Sequence, residues 1–186
     1  MQIRPAIPAD LDRLRDLDAT VESTQLLFLE RSGAGLSFAW RIEPRPLREK
    51  LIDPNALDDE RAFALRQVVT GADEGVALVA EHDDQLVAVA LAQVEPAHGT
   101  MRVLDVRVDY DFRRQGLGTV MAYQIIEHAR QQGLRAVVAE TRANNFPANQ
   151  FFQKLAFDLG GFDTSRHSNH DLVKETTTLF WYAALD

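Results

Sequence analysis

One short loop constrains this chain more than any other feature: Arg113-Arg114-Gln115-Gly116-Leu117-Gly118-Thr119, lying between a strand pattern and a helix pattern. Before it, Val103-Leu104-Asp105-Val106-Arg107-Val108 alternates in side-chain direction as a strand does. After it, Leu117, Val120, Met121, Ile125 and Ala129 recur at helical spacing until Gly133 supplies a stop. A helix that opens on two arginines and two glycines suits an anion. Its first amides have no partners within the helix, its dipole points its positive end the same way, and glycine lets the backbone approach closely. The loop is therefore expected to hold phosphate.

Two common phosphate binders do not fit. A Walker loop needs Gly-x-x-x-x-Gly-Lys-Ser/Thr, a string this sequence lacks. The dinucleotide fingerprint Gly-x-Gly-x-x-Gly is matched by Gly116 and Gly118, and Glu140 follows near the right distance. Its third position, however, is Met121, which cannot give the close helix–strand packing of a third glycine. Residues 109–115 also separate the strand from the first glycine, whereas the dinucleotide turn follows its strand at once.

Length and composition bound the remaining choices. A chain of 186 residues with 46% hydrophobic content is expected to form one domain, residues 1–186, with a sizeable core. No apolar run approaches membrane-spanning length, and the acidic first 18 residues do not read as a signal peptide, so the expected location is cytoplasmic. With no cysteine, a disulfide framework, a thiolate metal site and a cysteine acyl-enzyme are all excluded. A formal net charge of −8 argues against nucleic acid as partner and favours a cationic small molecule or peptide, although acidity also serves plain solubility. His167-Ser168-Asn169-His170-Asp171 reads as a polar surface turn, and no metal is expected.

Gln2-Ile3-Arg4 reads as a first strand, and Pro8 opens a helix with Leu11, Leu14 and Leu17 on one face. Residues 25–29 and 36–42 read as extended, bounded by Gly33, Gly35, Pro44 and Pro46. Asn55 is expected to cap a helix through Ala62, Leu65, Val68 and Val69, ended by Gly71. Residues 76–81 and 86–94 flank His82-Asp83-Asp84-Gln85 as a hairpin, and a strand over 101–108 follows. Beyond the phosphate helix come a strand over 136–140, a helix from about Ala148, and two strands closing at Tyr182. Helices set around a mostly antiparallel sheet with one crossover helix make an α+β, or mixed α/β, fold.

Arg113-x-x-Gly116-x-Gly118 resembles the acetyl-CoA loop, Gln/Arg-x-x-Gly-x-Gly/Ala, of the GNAT N-acetyltransferase superfamily. The later segment Asn145-Phe146-Pro147-Ala148-Asn149-Gln150-Phe151-Phe152-Gln153-Lys154-Leu155-Ala156-Phe157 is similar to that superfamily's Asn-x-x-Ala-x-x-(apolar)-Tyr-x-Lys-x-Gly-Phe stretch. Gly160-Gly161-Phe162-Asp163-Thr164, Glu175 and Leu179-Phe180-Trp181-Tyr182 resemble the tail of streptothricin acetyltransferases. The likeness covers the C-terminal half well; upstream it is carried only by Ile3-Arg4-Pro5-Ala6 and Asp10. It implies a GNAT-like twisted sheet with helices on both faces. It also implies acetyl-CoA as co-substrate and a small-molecule amine as acceptor; the sequence does not fix an oligomeric state, for which a homodimer is one candidate.

Acetyl transfer from a thioester to an amine needs a cradle for CoA, a neutral amine, a polarised carbonyl and a proton for the thiolate. Arg113, Arg114 and the amides of Gln115, Gly116, Leu117, Gly118 and Thr119 are the candidates for the pyrophosphate. The resemblance implies that the strand edge through Val106 and Val108 meets the pantetheine, that the amide of Val106 polarises the thioester, and that Asn145 and Phe152 also lie on CoA. Asp105 interrupts an apolar strand, faces opposite to Leu104 and Val106, and is the first candidate for the amine's proton; an exposed polar residue is the plain alternative. Glu140, ending the neighbouring strand, is the second candidate. Glu30 and Trp40 combine an acid with an aromatic ring, as a cationic amine would require, while core packing is the simpler reading of Trp40. Two positions depart from the pattern. Phe152 stands where relatives carry the tyrosine that protonates the thiolate, which leaves water or a hydroxyl such as Tyr182, Tyr110 or Thr141. Ala156 replaces a glycine, which costs little unless that residue needs a positive φ. The expected activity is direct acetylation of an amine on a streptothricin-like cation. The alternatives are a protein or peptide amine, or a non-catalytic acyl-CoA sensor.

Overall fold

A computed structural model describes residues 1–185. In chain order its elements are β1 (Gln2–Pro5), α1 (Asp10–Arg13), β2 (Val21–Ala34), β3 (Ser37–Asp53), α2 (Asp59–Val69), β4 (Gly75–His82) and β5 (Gln85–Glu95). There follow β6 (Thr100–Val108), α3 (Leu117–Gln131), β7 (Ala136–Arg142), α4 (Phe146–Lys154), β8 (Asp158–Asp163) and β9 (Thr178–Ala184). Seven strands form one sheet in the order β1-β4-β5-β6-β7-β9-β8, and β2 pairs with β3 alone. The ladders β1–β4, β4–β5 and β5–β6 are antiparallel; β6–β7 is parallel and is crossed over by α3. This is the mixed α/β, mostly antiparallel fold that the pattern predicts. No helix among the described residues is long and apolar enough to cross a membrane.

Contacts gather into two units. The first comprises Met1–Thr20, Pro54–Ala139 and the C-terminal residues from Tyr182. Its core on one sheet face joins Leu14, Leu17, Leu65, Val79, Val89 and Leu91, which packs α1 and α2 against β4 and β5. On α3, Leu117, Met121, Ala122, Ile125 and Ala129 form the buried stripe, and the helix packs against β4, β5 and β6. The hairpin between β4 and β5 turns through Asp83 and Asp84, both at positive φ (48° and 61°), as a tight turn that follows the sheet's twist requires. Two expectations are corrected here. The first helix is α-helical only over Asp10–Arg13 and tightens into a 3-10 turn at Leu14–Asp16, although Leu14 and Leu17 reach the core as predicted. Asn55 does not cap α2: it sits at φ 48°, and the carboxylate of Asp58 accepts the Arg61 amide at 2.8 Å instead.

The second unit comprises Val21–Asp53 and Glu140–Trp181. Residues 25–29 and 36–42 belong to a far longer two-stranded ribbon, β2 and β3, which turns at Gly35 and Leu36. Pro44 and Pro46, expected to bound a strand, lie inside β3, paired with Leu27 and Gln25. A ribbon of two strands leaves one edge of each without a ladder, and there a proline loses no sheet hydrogen bond. A buried polar knot fastens α4: Thr141 Oγ1 donates to Asn149 Oδ1 at 2.5 Å, Asn149 Nδ2 donates to the carbonyl of Arg142 at 3.0 Å, and Trp181 Nε1 donates to Thr141 Oγ1 at 2.9 Å. Thr141 is thereby removed as a proton donor to any leaving group, since its hydrogen is committed to Asn149.

Candidate active site

In the first unit the loop before α3 is braced from behind. The Asp109 carboxylate accepts the amides of Asp18 and Asp111, both at 3.2 Å, and the Tyr110 amide donates to the Asp18 carbonyl at 2.8 Å. Arg113 belongs to this brace. Its Nε donates to the Val108 carbonyl at 3.0 Å, its Nη1 donates to the Thr20 carbonyl at 2.6 Å, and its guanidinium lies over the Tyr110 ring. Two of the three guanidinium nitrogens of Arg113 are thus engaged by carbonyl oxygens, and Nη2 is the one with no hydrogen bond among the described residues. Arg114, exposed and at φ 63°, is the cation at this loop without a partner among the described residues.

Gly116 is the residue before α3, at φ 85°, and no side chain caps the helix. The first intrahelical bond runs from the Val120 amide to the Gly116 carbonyl at 3.0 Å. The amides of Leu117, Gly118 and Thr119 therefore open the helix without helical acceptors. Nothing lies within 4 Å of the place a Cβ on Gly116 would occupy. Glycine serves the left-handed backbone here, and the space before the amides stays clear.

The strand leading into this loop has an open edge. The Asp109 amide donates to the Val87 carbonyl at 2.8 Å, one step beyond the Ala88↔Val108 pair. Bonded and non-bonded pairs alternate along an antiparallel ladder, so Asp105 and Arg107 direct their backbone groups to β5, while Val106 and Val108 turn theirs away. On that other side the β7 ladder covers only residues 100–103 of β6, which continues to Val108. The outward amide of Val106 thus sits on an unladdered edge. A bulge adjoins it: Leu91 pairs with Asp105 and Ala92 with Val103, leaving Leu104 as the extra residue. The bulge breaks the simple alternation, and Leu104 packs on the α1–α2 core face rather than opposite Asp105 as predicted.

Asp105 shares that core face with Leu91, its cross-strand partner, and is only 7% exposed. Its Oδ2 accepts Arg107 Nε at 2.7 Å, and its Oδ1 faces Arg61 Nη1 at 3.5 Å. It is a buried ion pair and not a solvated surface acid. Burial pushes its carboxyl above the usual carboxylate range, against the opposing pull of Arg107 and Arg61. Arg107 is itself 2% exposed, and its two Nη atoms find no hydrogen-bond acceptor among the described residues. Sequence reasoning passed over both arginines. An acid and a base two residues apart on a strand was the available signal for Arg107; nothing local marks Arg61. Tyr182, half-buried in β9, makes no hydrogen bond through its hydroxyl among the described residues. Tyr110 is half exposed beneath Arg113.

In the second unit, Glu140 ends the apolar run of β7 and meets Arg166 Nη2 at 3.2 and 3.3 Å through its two oxygens. Asn145 caps α4, its Oδ1 accepting the Ala148 amide at 3.2 Å. Phe152 is 6% exposed and packs its ring against Phe151 and Phe157, which makes it a core residue. Glu30 and Trp40 are separated by register. Glu30 pairs with Arg41 and Trp40 with Arg31, so the two side chains project from opposite faces of the ribbon. Trp40 packs edge-on against Phe162, with ring centroids 5.0 Å apart, whereas Glu30 meets Arg45 at 3.5 Å. The pairing of acid and ring is corrected by that alternation. In the polar turn after β8, the Asp171 carboxylate accepts the His167 amide at 2.8 Å and the Ser168 hydroxyl at 2.9 Å. The His167 amide above all holds its carboxyl down to about 2. No group of three His, Cys, Asp or Glu side chains among the described residues is placed to hold a metal ion.

These features agree with what the chain is similar to. The family model described as "Acetyltransferase (GNAT) family" matches residues 38–157. Streptothricin acetyltransferase A of Bacillus subtilis is 32% identical over 85 residues, 46% of this chain and 49% of that protein. The chain thus spans about half the length of that relative. The [ribosomal protein bS18]-alanine N-acetyltransferase of Salmonella typhimurium is 29% identical over 131 residues, 68% of this chain and 77% of the relative. A Bacillus anthracis crystal structure, of a protein assigned as a streptothricin acetyltransferase and in complex with acetyl coenzyme A, shares the fold. It has a TM-score of 0.76 at 19% identity, covering 100% of this chain and 97% of that one. An uncapped glycine-led helix start, a bulged strand with an open edge and a family match over more than half the residues converge on one conclusion: this chain belongs to the GNAT acetyltransferase family.

Proposed function

We propose that this protein passes acetyl directly from acetyl-CoA to a primary amine on a cationic small molecule of the streptothricin kind. The observation that carries the reading is the open edge of β6 leading into the uncapped start of α3. The amides of Leu117, Gly118 and Thr119, with Arg114, take the pyrophosphate. The pantetheine adds to the edge at Val106 and Val108 as an extra strand, and the Val106 amide donates to the thioester oxygen as negative charge develops there. Asp105 removes the amine's proton, and its raised pKa makes it a better base than an exposed aspartate. The amine nitrogen then bonds to the carbonyl carbon, the C–S bond breaks, and the thiolate leaves with a proton from the Tyr182 hydroxyl or water. With no cysteine in the chain, no cysteine acyl-enzyme forms, and initial-rate lines should intersect rather than run parallel.

The streptothricin class is supported by the Gly161-Phe162-Asp163-Thr164 stretch and by Phe162 packing on Trp40 in the second unit. The 131-residue match to the ribosomal-protein enzyme favours a second reading, a protein or peptide amine. A panel of amines, scored by release of free CoA thiol, separates the two readings. Binding of acetyl-CoA with no thiol release from any amine would leave only a sensor. For the mechanism, Asp105→Asn should lower turnover by roughly 10²–10⁴-fold. The defect should shrink as pH rises, because more of the acceptor is already neutral. Turnover of Asp105→Asn at the unsubstituted protein's rate near neutral pH removes Asp105 as the base.

A further inference from the structure

The two oxygens of Asp105 are held unequally. Oδ2 is locked to Arg107 Nε at 2.7 Å deep in the core. Oδ1 has as its partner among the described residues only Arg61 Nη1, at 3.5 Å, the outer limit of a hydrogen bond. Arg61 is also the outermost of the three, its side chain 22% exposed against 5% for Asp105 and 1% for Arg107. Its firm bonds lie elsewhere: Nε to Asp58 Oδ2 at 2.7 Å, Nη1 to Asn55 Oδ1 at 2.9 Å, and Nη2 to the Ala56 carbonyl at 2.6 Å. Three short bonds anchor the guanidinium to the segment before α2, and one long contact rests on the carboxylate. A planar cation, anchored elsewhere and touching the buried acid through its longest contact, occupies the place an incoming ammonium would need.

We propose that Arg61 is a built-in stand-in for the acceptor, and that the acceptor's ammonium binds by displacing Arg61 from Asp105 Oδ1. This rests on the reading of Asp105 as the amine's base. Displacement turns the guanidinium about its Nε bond to Asp58, so that Nη1 gives up the long contact on Asp105 Oδ1 together with its bond to Asn55. It also selects. An acceptor needs an unhindered primary ammonium on a slim stem to reach an oxygen this buried, and weak or bulky amines do not dislodge the guanidinium. Arg61 is therefore a specificity residue that acts by competition.

The test is Arg61→Met in the full chain, with Arg61→Gln as a second variant should the first fold poorly. The apparent KM for the best amine of the panel should fall about tenfold, the equivalent of roughly 1.4 kcal/mol. Free guanidinium at millimolar concentration should inhibit the variant competitively against the amine and leave the unsubstituted protein unaffected. A purely structural Arg61 would lower the melting temperature, raise KM or leave it alone, and create no guanidinium site; that result overturns the proposal. If the unsubstituted protein turns over no amine, the acetyltransferase reading fails on its own. The stand-in is then read by calorimetry, as guanidinium binding to Arg61→Met that disappears in Arg61→Met/Asp105→Asn. No binding in either variant overturns it.

Discussion

Two strand-to-helix junctions in this chain start from the same problem and end differently. Both α3 and α4 begin with amides that have no acceptor in their own helix. At α4 the chain answers with side chains: Asn145 Oδ1 takes the Ala148 amide, and Asn149, fully buried one turn on, donates to the carbonyls of Arg142 and Ala143. At α3 it supplies no cap, sets Gly116 at φ 85°, and braces the loop only from behind through Asp109 and Arg113. A helix start satisfied from within serves the fold. One stiffened but left unsatisfied is prepared for a ligand.

The sharpest way to test that contrast is to damage the satisfied junction. Asn149→Leu leaves the Thr141 hydroxyl without its buried acceptor and takes one donor from each of the Arg142 and Ala143 carbonyls, which keep the Asn145 and Leu27 amides, and should cost about 1–3 kcal/mol of stability in a denaturant titration. A loss below about 1 kcal/mol would mean the knot does not secure α4. At the open junction the expected loss is of binding. Gly116→Ala places a methyl group in the clear space before the amides and forces a left-handed alanine. Acetyl-CoA affinity should drop about tenfold or more in calorimetry, with stability lowered by only about 1–2 kcal/mol. Asn145→Ala should show the reverse balance, losing about 1 kcal/mol of stability and less affinity than Gly116→Ala. Equal loss of affinity in the two variants would erase the distinction and return Asn145 to the cofactor site. The smallest effect lies at the far end of α4, where Ala156 adopts φ 60°. That is the conformation in which its replacement of glycine carries a cost. Ala156→Gly should raise stability by roughly 0.5–1 kcal/mol, seen as a higher melting temperature.

Much of the first unit was legible because its signals are local. The β4–β5 hairpin, strand β6, the phosphate-type loop and the stripe of α3 each rest on neighbours three or four residues away, and each appears where the pattern placed it. The long ribbon of β2 and β3 was not, since its prolines read as boundaries until the pairing revealed edges without ladders. Register also separated Glu30 from Trp40, because a one-residue offset across a ribbon reverses the face.

By itself the sequence determined the chain's class: a mostly antiparallel mixed sheet with one crossover helix, opened by a glycine-arginine loop. Glycine placement and apolar period act within a turn or two of the backbone, and so can be read along one dimension. Tertiary structure alone decided what the charged residues do. Arg113 became a brace because the Thr20 carbonyl comes to lie beside it, 93 positions back in the chain. Asp105 became a buried, unequally held carboxylate because α2 brings Arg61 over it from 44 positions away. The identity of a side chain gives its charge. Its partner and its distance from water, which set the strength of that charge, come only from the packed fold.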